Sequence, residues 1–250
     1  MNGVQLGARF SIATNRLQYC GPAEAAPLLY AAITSEEGHA EAARMLAGFE
    51  ALMPYLEAIA AKHGRDPFDR EVVEAYWIGN PLLEAFERAD FLRLLEGLTL
   101  RGLPRSFARR LGVHLPEHPW PHHLFHVAFV GVGTVTGHVP TTLANMEACR
   151  PAWAHVLHAH DTTLRVRGPT LAIEGEKIGW GPDVERDLVY DPRVIPDPNP
   201  GDAVAVHWSW PALRLSAAHR TALERYSRAA LTAANEVLPA LRGAATSGAR

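Results

Sequence analysis

The chain changes its hydrophobic period at Cys149, and this limits what it can fold into more than any other feature. Upstream, Ala42, Leu46, Phe49, Met53 and Leu56 recur at steps of four and three, which draws one apolar stripe along a helix. Downstream, Trp153, His155, Leu157 and Ala159 alternate with Ala154, Val156, His158 and His160, the period of two of a half-buried strand. One element cannot satisfy both periods. The expected fold class is therefore α+β, with an all-helical domain over residues 1–147 and a stranded domain over 148–243. Ser216 caps a C-terminal helix whose apolar side carries Leu223, Tyr226 and Leu231.

Within the helical part, residues 1–21 show no helical period, and Arg9 to Ala13 reads as a short extended piece. Residues 22–34 form the first expected helix. Ser35 caps a second, from Glu36 to about His63, with a kink at Pro54 and a stop at Gly64. Asp69 caps a segment that buries Val72, Val73, Tyr76 and Trp77, and Leu-rich helices follow to residue 111. Beyond Cys149 the expected strands are short: Leu164–Arg167, Thr170–Ile173, Lys177–Trp180, Val184–Tyr190 and, as the last clear one, Ala203–Trp208. The Pro-rich run from Asp191 to Pro200 connects them.

Composition removes several function classes. The 250 residues carry a net charge of -3 with 20% charged residues, so nothing points to nucleic acid. No apolar run approaches the length of a membrane span, so no membrane partner is expected. Two cysteines, Cys20 and Cys149, are too few for a disulfide framework, and reduced thiols in the cytoplasm are the expectation. Histidine is the unusual count: nine of thirteen lie between His114 and His160. Pro121 can open a helix on which His122 and His126 share a face, with His123 three residues before His126, and two imidazoles so spaced can reach one metal ion. Cys20 stands just before a helix start, where free N–H groups favour a thiolate.

The stretch from Cys149 to Tyr226 has a recognisable order. Cys149 stands seven residues before Val156. Gly201-Asp202-Ala203-Val204-Ala205-Val206-His207 follows in a later strand, then Trp208-Ser209-Trp210 and a helix. This order resembles the HypC family of small hydrogenase-maturation chaperones. The resemblance implies a small OB-like β-barrel with a C-terminal helix. It also implies an iron centre bearing cyanide and carbon monoxide, shared with maturation scaffold proteins and delivered to a [NiFe]-hydrogenase large-subunit precursor. On that reading Cys149 is the iron ligand and His207 supports it, so the two should approach each other in space. Arg150 would turn toward the thiol and favour its ionisation, leaving Cys149 more reactive than Cys20. The chain is then a metallochaperone or assembly factor rather than an enzyme. Two alternatives stand beside it. One is a helical iron- or heme-binding protein or enzyme using Cys20, His122, His123 and His126. The other is a metal-free interaction module.

Overall fold

A computed structural model describes residues 1–35 and 37–247. Its first element is a helix where the sequence showed no period. Helix α1 (Gly3–Arg16) starts with a capping box, in which the Asn2 side chain accepts from the Gln5 N–H and Gln5 returns the bond to the Asn2 N–H. Leu6, Ala8, Phe10, Ile12, Ser11 and Asn15 are all buried, so α1 is enclosed on every side. Its apolar side is written at steps of four and three in Leu6, Phe10 and Ala13, a period masked by the small and polar residues Gly7, Ser11 and Asn15 buried among them. The small residues permit the enclosure: a Cβ on Gly3 would lie 1.9 Å from the Phe68 carbonyl oxygen.

Helix α2 (Ala25–Thr34) follows. The single helix expected up to His63 is two, α3 (His39–Ala47) and α4 (Leu52–His63). They part at Gly48, where a Cβ would meet Pro22 Cγ at 2.5 Å. Pro54 sits in the first turn of α4, where its missing N–H leaves no gap in the helical ladder, so it makes no kink there. Helix α5 (Arg70–Trp77), a 3-10 turn (Pro81–Ala85), α6 (Arg88–Thr99) and α7 (Arg105–Val113) complete the packing. A three-residue α8 (His123–Phe125) runs straight into a π-helical turn (His126–Gly131), and α9 (Leu143–Cys149) ends on the cysteine. Among the described residues, no helix is long and apolar enough to cross a membrane.

The change of period at Cys149 is followed by strands: β1 (Ala152–His160), β2 (Thr163–Glu174), β3 (Lys177–Val189), β4 (Ala203–His207) and β5 (Trp210–Leu215). All neighbours are antiparallel, in the order β3-β2-β1-β4-β5. The protein is thus α+β, with an open sheet in place of the expected closed barrel. Strands β3 and β5 come near each other, but no ladder joins them among the described residues. A barrel requires that last pairing. Four short strands expected between 164 and 190 merge into the long hairpin β2–β3, which a register shift near Pro169 keeps continuous. Strand β5 lies beyond the last expected strand; it holds Pro211 at the sheet edge, where a missing N–H costs nothing.

Helix α10 (Ala217–Ser247) packs against β1, β3, β4, β5 and the π turn. The Arg9 guanidinium of α1 donates to the Val194 and Ala212 carbonyls at 2.8 and 3.2 Å. The buried side chains of the helical and stranded parts form one continuous core. The line between these parts is where the chemistry gathers.

Candidate metal centre

Three chain segments end at one place. Helix α9 delivers Cys149 at its last residue, β4 delivers His207 at its last residue, and α8 delivers His123 at its first. One ring nitrogen of each histidine and the Cys149 sulfur lie within 4.8 Å of one another, with all three residues buried. Cys149 and His207 meet in space, and His123 joins them.

Hydrogen bonding orients the two rings. His207 Nδ1 is 2.6 Å from the Phe10 carbonyl oxygen of α1. A carbonyl only accepts, so Nδ1 carries the proton and Nε2 keeps its lone pair. That Nε2 is buried and completes no well-formed hydrogen bond, although the Cys149 backbone carbonyl lies near the ring. His123 Nδ1 is 2.6 Å from the Tyr76 hydroxyl, and its Nε2 is 3.5 Å from Cys149 Sγ. A hydroxyl can donate or accept, so Tyr76 suits either tautomer of His123. When Nδ1–H donates to Tyr76, Nε2 faces the sulfur as a lone pair. Metal-binding histidines commonly have such a partner on the second nitrogen. Trp77 packs over both rings, with centroids 4.4 Å from His123 and 5.0 Å from His207, and Phe10 stacks on its far side.

The β4–β5 turn fixes the approach of His207. Trp208 and Ser209 both take positive φ, 51° and 59°, in a two-residue hairpin loop. Such turns usually carry Asn or Gly, because other L-residues bear a steric cost there. Tyr19 packs on Trp208 with centroids 4.8 Å apart, and the Trp208 N–H donates to the Ala148 carbonyl at 2.7 Å. The Trp208 indole lies where it favours the Cys149 thiolate, though its N–H completes no well-formed hydrogen bond.

Burial sets the charge states. Desolvation lowers His207 and His126 to about 4 and His122 to about 3, and it holds His123 well below the usual range. All four rings are neutral at neutral pH, the form that binds metal. Desolvation, with a smaller contribution from nearby Cys20, raises the Cys149 thiol well above its ordinary value. Arg150 does not oppose this. Its guanidinium is held by both Glu147 oxygens at 2.9 Å and by the Pro169 carbonyl, away from the sulfur. The expected activation of Cys149 by Arg150 is therefore absent. Cys149 is also buried while Cys20 is half-buried, which argues for Cys20 as the more accessible thiol.

The other histidines and Cys20 do not share one ligand cluster. His122 is the extended N-cap of α8: its carbonyl accepts the His126 N–H at 3.2 Å, but its side chain caps the helix and does not share a helix face with His126. His122 Nδ1 accepts the Leu124 N–H at 3.2 Å, and its ring turns toward the Ile78 carbonyl. His126 stacks on His123 at 6.1 Å and meets the Tyr55 hydroxyl at 3.1 Å. Cys20, with its thiol raised to about 12 by burial and by Glu50, stays outside the cluster but close enough to influence Cys149. Sequence reasoning named His123, Cys149 and His207 but assigned them to two different sites. It gave Tyr76 no role beyond burial, and no side-chain pattern could have shown that the Phe10 backbone carbonyl holds His207.

Two neutral imidazoles and one thiol suit a borderline or soft ion such as iron or zinc. At metal–sulfur and metal–nitrogen lengths of about 2.3 and 2.1 Å, tetrahedral S and N ligands stand roughly 3.6 Å apart. The 3.5 Å between Cys149 Sγ and His123 Nε2 matches that edge.

A family model described as a family of unknown function (DUF6390) matches residues 1–240, and the chain belongs to that family. No curated protein and no solved structure matches the chain.

Proposed function

We propose that this member of the family is a metal-binding accessory protein that holds one ion between His123, Cys149 and His207. We read it as an iron carrier or chaperone for a [NiFe]-hydrogenase large-subunit precursor. The observation that carries the metal reading is the convergence of the buried His207 Nε2, which completes no well-formed hydrogen bond, with a His123 nitrogen and the Cys149 sulfur within 4.8 Å. A buried polar atom without a partner costs free energy, and an ion shared with the sulfur and His123 removes that cost. The hydrogenase assignment rests on the resemblance of residues 149–226 to the HypC family. It draws support from the antiparallel placement of β1 beside the β4 strand that carries Gly201 to His207. In this reading Cys149 supplies the thiolate, His123 and His207 supply neutral nitrogens, and Tyr76 and the Phe10 carbonyl hold the rings in place.

The test is metal analysis of the full chain, purified without oxygen from cells making a [NiFe] hydrogenase. The expected result is close to one iron per chain, with infrared bands of bound cyanide and carbon monoxide, lost in Cys149→Ala and in His207→Gln. Iron retained in both variants, or an iron-free chain co-purified with the precursor, overturns the reading.

The enclosure of the trio favours a second reading, in which a permanent ion, zinc before iron, staples α8, α9 and β4 together. A chelator separates the two. A carrier surrenders its ion with its melting temperature little changed, whereas a staple keeps its ion until the fold opens.

A further inference from the structure

Strand β1 carries three more histidines, His155, His158 and His160, all exposed. Strict alternation places His155 on the face opposite His158 and His160. The structure does not. The β1–β2 ladder shifts register between Val156 and His158, so Leu157 is an extra residue. His155 pairs with Arg167, His158 with Arg165 and His160 with Thr163, while the intervening pairs are Val156 with Val166 and Ala159 with Leu164. Directly opposed residues of an antiparallel pair share a face. Val166 and Leu164 are buried, whereas Arg167, Arg165 and Thr163 are exposed. The bulge therefore returns His158 and His160 to the face of His155. Bulges elsewhere often serve to re-aim a side chain.

We propose that this face binds a divalent cation of the nickel, copper or zinc class through His158 and His160, at a site separate from the buried trio. The two residues are two apart on a strand, about 6.7 Å between Cα atoms, and their side chains leave the same side. Imidazole is the ligand these ions share. His160 Nδ1 is 3.2 Å from Asp161 Oδ2, which places a carboxylate beside the exposed ring and leaves Nε2 to the ion. The surrounding charge permits a cation. Arg165 opposes His158 but is paired with Glu185 and Asp187 at 3.3 and 3.8 Å. With Arg167 and Asp161 counted, the acids outnumber the arginines on this face. His155 stands two pairs further along on the same face and can serve a wider ion or a water bridge.

The experiment is a calorimetric titration of Ni2+ into the full chain carrying Cys149→Ala, so that the buried trio does not compete. The expected result is one saturable ion per chain. Adding His158→Ala and His160→Ala should abolish it, and adding Asp161→Asn should weaken it roughly tenfold. Asn tolerates the positive φ of 49° at that position, so the turn survives. Should Cys149→Ala fail to fold, the same comparison is made with Cys149 intact, where the double histidine variant must bind one ion fewer. No saturable binding without Cys149, or unchanged binding in the double histidine variant, overturns the proposal.

Discussion

The protein places histidines in two opposite settings. His123 and His207 stand in a closed, aromatic-lined interior, each ring held through Nδ1, while His158 and His160 stand in water on a sheet face. The residue type is the same, yet the interior decides the charge state and position of both rings, and the tautomer of His207, before any ligand arrives. A buried ligand set also forms part of the fold, so altering it disturbs both. An exposed set is nearly independent of stability. Experiments that change both settings alike would break this contrast.

The largest expected difference is in stability. His207→Ala leaves the Phe10 carbonyl without its donor and opens a cavity beside Trp77. A loss of about 2–4 kcal/mol is expected from urea unfolding of metal-free protein. His158→Ala with His160→Ala should stay within about 0.5 kcal/mol of the parent. Equal losses would show that the interior ring contributes nothing special.

Acid sharpens the contrast. His126 and His207 titrate at about 4 and His122 at about 3 in the native chain, all lowered by desolvation. The unfolded values lie near 6.5. Below pH ~6.5 the unfolded chain binds protons that the native chain refuses, so stability falls as pH drops from about 6.5 toward 4. Each such ring contributes on the order of 3 kcal/mol to that fall. His126→Gln should make the dependence of unfolding free energy on pH shallower by up to about 1.4 kcal/mol per pH unit in that window. An unchanged slope would mean that His126 is not held neutral by burial.

Loading gives a third, smaller difference. An ion entering the buried trio must displace the Cys149 proton, because the thiol is raised far above neutral. Calorimetry in buffers of different ionisation enthalpy should show one thiol proton released per ion at pH 7, and none of it in Cys149→Ala. The exposed face has no thiol to contribute. The least effect is kinetic: in metal-free native protein a thiol reagent should modify half-buried Cys20 before buried Cys149.

Much of the architecture was legible because period reports which side of an element is buried. The stripe through Leu46 and Leu56 survives in the structure as buried positions, and the change of period at Cys149 survives as the change from helix to strand. Period fails where burial is one-sided no longer, or where one residue is inserted. In helix α1 the stripe of Leu6, Phe10 and Ala13 is masked by buried Gly7, Ser11 and Asn15. The extra residue at Leu157 inverts the phase of β1, so alternation assigned His158 and His160 to the wrong face. At the candidate centre, sequence reading supplied residue types and the approach of Cys149 to His207. It could not tell that His122, as an extended cap, leaves the group, nor that Arg150 is captured by Glu147. Both outcomes depend on local backbone angles and competing partners, which residue order alone does not encode.

The carbonyl that holds His207 belongs to a residue 197 positions earlier, and the sulfur facing His123 lies 26 positions after it. Contacts of such separation form slowly, because the chain must lose the entropy of closing long loops before any of them is rewarded. During synthesis α1 emerges long before β4, so its carbonyl waits for a ring not yet made. The ligand trio is therefore expected to be complete only once α1 and β4 have met. A nascent or half-folded chain offers single thiols and imidazoles but not the assembled set, which makes completion of folding itself the gate on tight metal capture.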